Sequence, residues 1–500
     1  MTASSPPETP DHLGSGDENA SRATAVPKGA WNRWRPLLLR WHFYAGLLVG
    51  PFLLIAAVTG LLYSLVPQID RAVYSHELTV DDVGEQRLPL SQQVAAARAV
   101  HPEGTVSSIR PPEAPADTTR VVLAVDDVPE SYGRTVFVDP YTGEVRGALT
   151  TFGQWMPLRA WFDEFHRTLH LGAFGRNYSE LAASWLWFVA VAGLVLWIGH
   201  RRRTRKTRRL LIPDTDAPRR QRLLSWHGAI GIWVIIGLLA LSASGLSWSR
   251  WTGANIADLR TAMSWTTPTA STSLSGEASD DGGHGGHGHG AASAAAADID
   301  VSAVDGVYAA AGAAGLRDPL VITPATDADT AWSVRENKRN FPESYDAVTV
   351  DPTTDEIVDR VDYADWPFMA KATSTFIGLH MGIYFGLANQ IALAALAIGL
   401  ITMIVLGYLM WWRRRPTRSQ RALATPPRRG ALGELKPAEA VAVVAVVAVI
   451  GWYMPLFGLP LALFIAVDTV IGAFRSRDTD TRGTDRNDTD KRGMAKEVRA

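Results

Sequence analysis

The chain has 500 residues, 47% of them hydrophobic, and sets 49 Lys and Arg against 50 Asp and Glu for a formal net charge of −1. That balance argues against a polyanion binder. The absence of cysteine excludes disulfides, thiolate zinc sites, iron–sulfur clusters, covalent c-type haem and Cys nucleophiles. Metal or redox chemistry must therefore rest on His, Met, Tyr or carboxylates, and the long apolar runs among polar stretches describe a membrane protein with large aqueous parts.

Residues 1–30 are polar and Pro/Ser-rich and read as a disordered tail with no cleaved signal peptide. An apolar run over 37–66 is long enough to cross a hydrocarbon core of roughly 30 Å. Similar runs follow at 181–199, 225–248 and 388–412. A last one, 441–474, is broken by Gly451-Trp452-Tyr453-Met454-Pro455 and reads as a hairpin of two short helices. Arg33, Arg35 and Arg40 precede the first span, Arg201-Arg202-Arg203 follow the second and Arg413-Arg414-Arg415 the fourth. With alternating spans these clusters share one face, so the positive-inside rule makes both termini and the loops 201–224 and 414–437 cytoplasmic. A multi-pass protein of the cell (cytoplasmic) membrane is expected, with its segments 68–152 and 298–366 facing outward. The Trp residues at span ends are interfacial anchors.

The chain repeats itself. Trp41-His42 heads the first span, with Gly60, preceded by Thr59, eighteen residues after the His; Trp226-His227 heads the third, with Gly245, preceded by Ser244, at the same interval. Val136-Phe137-Val138-Asp139-Pro140-Tyr141-Thr142-Gly143 matches Val348-Thr349-Val350-Asp351-Pro352-Thr353-Thr354-Asp355, each a strand and a Pro-bearing turn. Leu169-His170-Leu171-Gly172 and Leu379-His380-Met381-Gly382 each precede a span that ends in an Arg cluster. The fold class is therefore a membrane α-helical bundle, with four core spans in two tandem repeats and a C-terminal hydrophobic hairpin. Two small extracytoplasmic α+β domains complete it. Each domain starts with a helix, 89–100 or 301–314. Strands follow near 105–110, 119–125, 134–139 and 144–149 in the first, and near 319–323, 330–335, 345–350 and 356–361 in the second. Neither domain holds a nucleophile–base arrangement, a phosphate loop or a basic aromatic stripe, so nucleic acid is not an expected partner.

An ionisable residue inside a span is costly and is a functional hypothesis by default. A single interfacial His is as readily a structural one, bonded to a nearby carbonyl. Two at matched positions of a repeat carry more weight, because imidazoles converging from different helices give a haem iron its two axial ligands. His42 pairs with His227 at the inner end and His170 with His380 at the outer end. His166, four residues before His170 on the same helical face, is the alternative outer ligand. Gly46, Gly60, Gly231 and Gly245 allow close approach of helices or of a flat ring. His200 sits in the Arg cluster and reads as solvated or lipid-facing. His284, His287 and His289 form a weak, flexible site for a divalent metal within the Gly/Ala-rich insert 250–297.

The Trp-His heads, the Thr-Gly tail of the first span, the Val-Asp-Pro-x-Thr-Gly turn and the segments Phe165-His166-Arg167-Thr168-Leu169-His170-Leu171-Gly172 and Leu379-His380-Met381-Gly382 resemble the PepSY-associated transmembrane family over about 35–415. In part that family is similar to ferric-siderophore reductases with two b-type haems, and it also holds iron-regulated membrane proteins of unknown activity. The resemblance implies that the outward domains are PepSY domains and that His42, His227, His380 and one or both of His166 and His170 bind haem. The expected function is electron transfer from a cytoplasmic or membrane donor outward to a ferric chelate for iron uptake. No flavin or nicotinamide motif occurs in the chain, so the donor is a separate partner. Two other readings stand beside it: a non-enzymatic membrane protein that binds peptide, peptidase or envelope material, and a metal transporter. Against the transporter, the spans lack carboxylates along a cation path.

Overall fold

The computed structural model describes residues 30–204, 209–275, 301–325, 327–413 and 435–471. His284, His287 and His289 lie outside the described residues, as do both chain ends and most of the 414–437 loop.

The first apolar run forms two helices in line, α1 (Ala30–Leu48) and α2 (Gly50–Val73). The backbone ladder runs through the junction, with Val49 N bonded to Ala45 O and Leu53 N to Val49 O. Pro51 has no N–H, so the carbonyl of Leu47, four residues back, loses its helical partner. In an apolar surrounding an unmade bond of this kind is expensive. The Tyr408 hydroxyl donates to Leu47 O at 2.8 Å and satisfies it. Gly50 makes the approach possible, since a Cβ there would lie 3.0 Å from that hydroxyl oxygen.

After α3 (Ser75–Leu78) and α4 (Leu90–Val100), strands β1 (Thr105–Arg110), β2 (Thr119–Ala124), β3 (Tyr132–Val138) and β4 (Val145–Phe152) form a meander. The chain returns through α5 (Pro157–Thr168), α6 (Gly172–Arg203), α7 (Arg219–Ser247) and α8 (Thr252–Ala262). Then come α9 (Ala303–Ala313), a second meander of β5 (Leu320–Thr323), β6 (Trp332–Glu336), β7 (Ala347–Val350) and β8 (Ile357–Val361), and α10 (Phe368–His380) and α11 (Leu387–Trp412). Two shorter apolar helices, α12 (Pro437–Tyr453) and α13 (Pro455–Ile471), close the described chain. α2, α6, α7 and α11 are long and apolar enough to cross a membrane.

The strands fall close to their expected positions, but the two expected outward domains are not separate. All eight strands form one antiparallel sheet in the order β4-β3-β2-β1-β5-β6-β7-β8, joined where Ile109 on β1 faces Ile322 on β5. An edge strand exposes unpaired N–H and C=O groups, and pairing the two inner edges removes both. The two helices on the sheet share one core, in which Val94, Ala97, Val304, Val307, Ile109 and Ile322 are all buried. Ser91 N also donates to Asp305 Oδ1 at 3.1 Å, from the first segment to the second. Both Asp-Pro turns use the same device: Asp139 Oδ1 accepts from Tyr141 N, and Asp351 Oδ1 from Thr353 N, each at 2.8 Å.

The terminal hairpin is tied to α1 by charge. Arg33 Nη2 meets Glu439 Oε1 at 2.9 Å, and Arg40 pairs with Asp468 on α13. Glu180 on α6 is fully buried. Its carboxylate accepts from Trp251 N at 2.8 Å, Thr252 N at 2.9 Å and Thr252 Oγ1 at 2.7 Å, and so caps the start of α8. Glu180 and Asp468 both lie on apolar helices, and both are engaged by partners.

Candidate cofactor site: two facing histidine pairs

His42 on α1 and His227 on α7 face each other near the Arg-bearing end of the bundle, with ring centroids 6.3 Å apart and planes at 80°. Each ring is held from behind by a helix carbonyl: His42 Nδ1 lies 3.1 Å from Val189 O on α6, and His227 Nδ1 lies 3.0 Å from Met403 O on α11. A carbonyl only accepts, so Nδ1 carries the proton in both rings and Nε2 keeps its lone pair. The two carbonyls are exposed sideways because the residue one turn on is glycine. Gly193 follows Val189 by four and Gly407 follows Met403 by four. A Cβ on Gly193 would lie 2.9 Å from His42 Cε1, and one on Gly407 3.9 Å from His227 Cε1.

At the sheet end, His166 on α5 faces His380, the last residue of α10, with centroids 6.5 Å apart and planes at 55°. Here the tethers are hydroxyls. Thr59 Oγ1 lies 2.8 Å from His166 Nδ1, and Ser244 Oγ lies 2.7 Å from His380 Nδ1. Each hydroxyl spends its single proton on a carbonyl of its own helix, Ile55 O at 2.9 Å or Ala240 O at 2.7 Å. It therefore accepts from Nδ1–H, and Nε2 is again the free lone pair. The glycine after each hydroxyl leaves room for the ring, since Cβ atoms on Gly60 and Gly245 would sit 3.2 Å and 3.7 Å from the Cε1 atoms of His166 and His380. Tyr178 OH donates to His166 O at 2.7 Å, and Trp248 lies edge-on to His380 at 5.5 Å.

His170 stands elsewhere. Leu169 and His170 both adopt positive φ, 55° and 57°, which ends α5 and turns the His170 ring back onto Trp161 at 4.7 Å and Phe165 at 5.9 Å. The matched Leu-His-x-Gly motifs thus diverge: His380 remains helical, whereas His170 lies beyond its helix and is exposed. The spacing of four marked His166 as the alternative, but nothing local in the sequence announces two successive left-handed residues. His200 stacks on Trp197 at 5.8 Å.

Among the described residues no three or more His, Cys, Asp or Glu converge as ligands for a bare metal ion. Two imidazoles alone suit a metal that arrives with its other ligands in a ring. With metal–nitrogen bonds of about 2.0–2.1 Å, trans imidazoles place their ring centroids roughly 6 Å apart, the separation found in both pairs. The N–H on the far side of each ring, held by a carbonyl or hydroxyl, is the usual support of a metal-binding imidazole. The four histidines form two such facing pairs.

Four apolar spans, a terminal hairpin and one eight-stranded sheet, with an imidazole pair at each end of the bundle, define a helical membrane protein. The family described as PepSY-associated TM region matches residues 39–414, and the chain belongs to that family. A comparison with curated proteins finds no match.

Proposed function

We propose that the chain is a b-type haem electron-transfer protein, in which His42 and His227 hold one haem and His166 and His380 a second. The observation that carries this reading is the common arrangement of four rings in two facing pairs, each ring tethered through Nδ1 so that Nε2 keeps its lone pair. A haem ligated by two imidazoles supplies reversible one-electron transfer when bound. The chain's own residues fix the tautomers, hold the ring orientations and keep glycine where a side chain would intrude. His42 precedes Thr59 by seventeen residues and His227 precedes Ser244 by seventeen, so the two pairs stand about 25 Å apart along the helices.

The two four-stranded halves are read as PepSY domains arising from a tandem repeat, and the face with the Arg clusters as cytoplasmic. In that orientation the arrangement serves electron transfer from a cytoplasmic or membrane donor to a ferric chelate outside. Reduction of Fe(III) to Fe(II) weakens its hold on hard oxygen ligands and releases iron for uptake.

The test is the dithionite-reduced minus oxidised spectrum of the detergent-purified protein, with haem counted per chain as the pyridine haemochrome. About two b-type haems per chain are expected. A colourless protein from cells supplied with haem precursors would sink the reading and turn attention to a binding role for the sheet.

A further inference from the structure

Between the sheet and the bundle lies a cavity of about 410 Å³. Its walls carry Arg71, Arg120, Arg159 and Arg339 against two carboxylates, Asp70 and Glu113. These arginines come from four separate places: α2, β2, α5 and the segment after β6. Arg110 faces Arg120 across the β1–β2 ladder and adds a fifth guanidinium behind the wall. Trp155, buried at the centre, has the guanidinium carbon of Arg159 3.7 Å and that of Arg339 5.5 Å from its ring centroid.

The positive charge is only partly answered by the protein, since four arginines of the wall face two carboxylates. Among the described residues none of Arg110, Arg120, Arg159 and Arg339 makes an ion pair, and Arg159 Nη2 and Arg110 Nε are buried without a hydrogen-bond partner. Burial, and then the charges of Arg120, Arg335 and Arg339, push the Arg110 guanidinium down to about 9. An arginine does not give up its proton in a protein, so the cost of crowding these charges is recovered only by an anion. Guanidinium forks select planar oxyanions, binding carboxylates in bidentate fashion. Because the forks ring the cavity from several elements instead of converging on one point, they suit separated anionic groups on one molecule.

We propose that this cavity binds a small molecule bearing two or more carboxylates, free or as a metal chelate. The site stands whether or not the histidine pairs hold haem.

The probe is citrate, titrated calorimetrically into the detergent-purified full-length protein at low salt. Saturable binding that weakens as salt rises is expected, and R159Q/R339Q should weaken it about tenfold or more. Arg71 is exposed at the rim, so R71Q tests the same site without risk to the fold and should weaken binding several-fold. No heat of binding in the wild type, or equal binding in both variants, would overturn the proposal. So would loss of haem from R159Q/R339Q in a protein that ignores citrate, because the cluster would then serve haem propionates. A colourless protein that binds citrate would uphold this site while removing the haem reading.

Discussion

His166 and His380 face each other across the sheet end of the bundle at 6.5 Å between ring centroids, and each is tethered by a hydroxyl at the same place in its own span. Thr59 and Ser244 each stand one residue before a glycine and seventeen after the inner histidine of the same span. The two rods that carry the inner histidines thereby also carry the tethers of the outer pair, and each part of the arrangement can be removed separately.

Replacing His42 or His227 by Ala should lower haem from about two per chain to about one, and H166A or H380A should remove the other. H170A should retain both, because its ring packs on Trp161 and Phe165. Haem per chain by pyridine haemochrome separates these outcomes, and loss of haem in H170A would overturn the assignment of His166.

Ser244→Ala and Thr59→Val remove the acceptor that fixes Nδ1–H while leaving the ligand in place. Supporting groups of this kind typically contribute 10- to 100-fold to metal-site affinity, so roughly that much faster haem loss to an apoprotein acceptor is expected in each variant. Wild-type retention in both would show that the hydroxyls do not orient the rings.

Gly193→Leu should empty the inner site, because its Cβ already falls 2.9 Å from His42 Cε1. Gly46 has nothing within 4 Å of an added Cβ, so G46A is the matched control and should keep both haems. Equal haem content in the two variants would deny the glycine a role in shaping the inner site.

Arg40 and Asp468 join α1 to the terminal hairpin, with 3% and 14% of their side chains exposed. Breaking a buried pair by removing one partner leaves an uncompensated charge and costs about 3–5 kcal/mol. D468N and R40A should each lower the thermal midpoint in detergent, and R40M/D468L should recover much of the loss. A double variant no better than the singles would show that packing, and not charge, dominates there.

Arg146 Nη1 and Nη2 reach both carboxylate oxygens of Asp81, at 2.9 Å and 3.0 Å. This hydrogen bonding, then the arginine's charge, holds the Asp81 carboxyl below its usual range. A depressed folded-state value stabilises the fold at pH above the unfolded value of about 3.9, and the contribution fades as pH falls through the folded value. Arg146→Ala should return Asp81 to the ordinary carboxylate range in an NMR titration of the carboxyl. An unchanged titration would mean that the pair does not persist in solution.

Length and hydropathy alone fix the apolar spans, because crossing a hydrocarbon core demands about 20 apolar residues. Period-two alternation and the Asp-Pro turns fix the strands of each meander, because both are local consequences of the chain. The repeat marked His42 with His227 and gave His380 its place, since equivalent positions in a duplicated unit tend to be brought to equivalent depths. Only the tertiary structure decided that His166 takes the outer position, through two left-handed residues at the end of α5. It alone joined β1 to β5, an edge pairing between strands more than 200 residues apart. It also turned Thr59 and Ser244 from markers of register into partners of imidazoles, and gathered arginines from four elements around Trp155. Those are contacts between side chains distant in sequence, and nothing in local propensity encodes them.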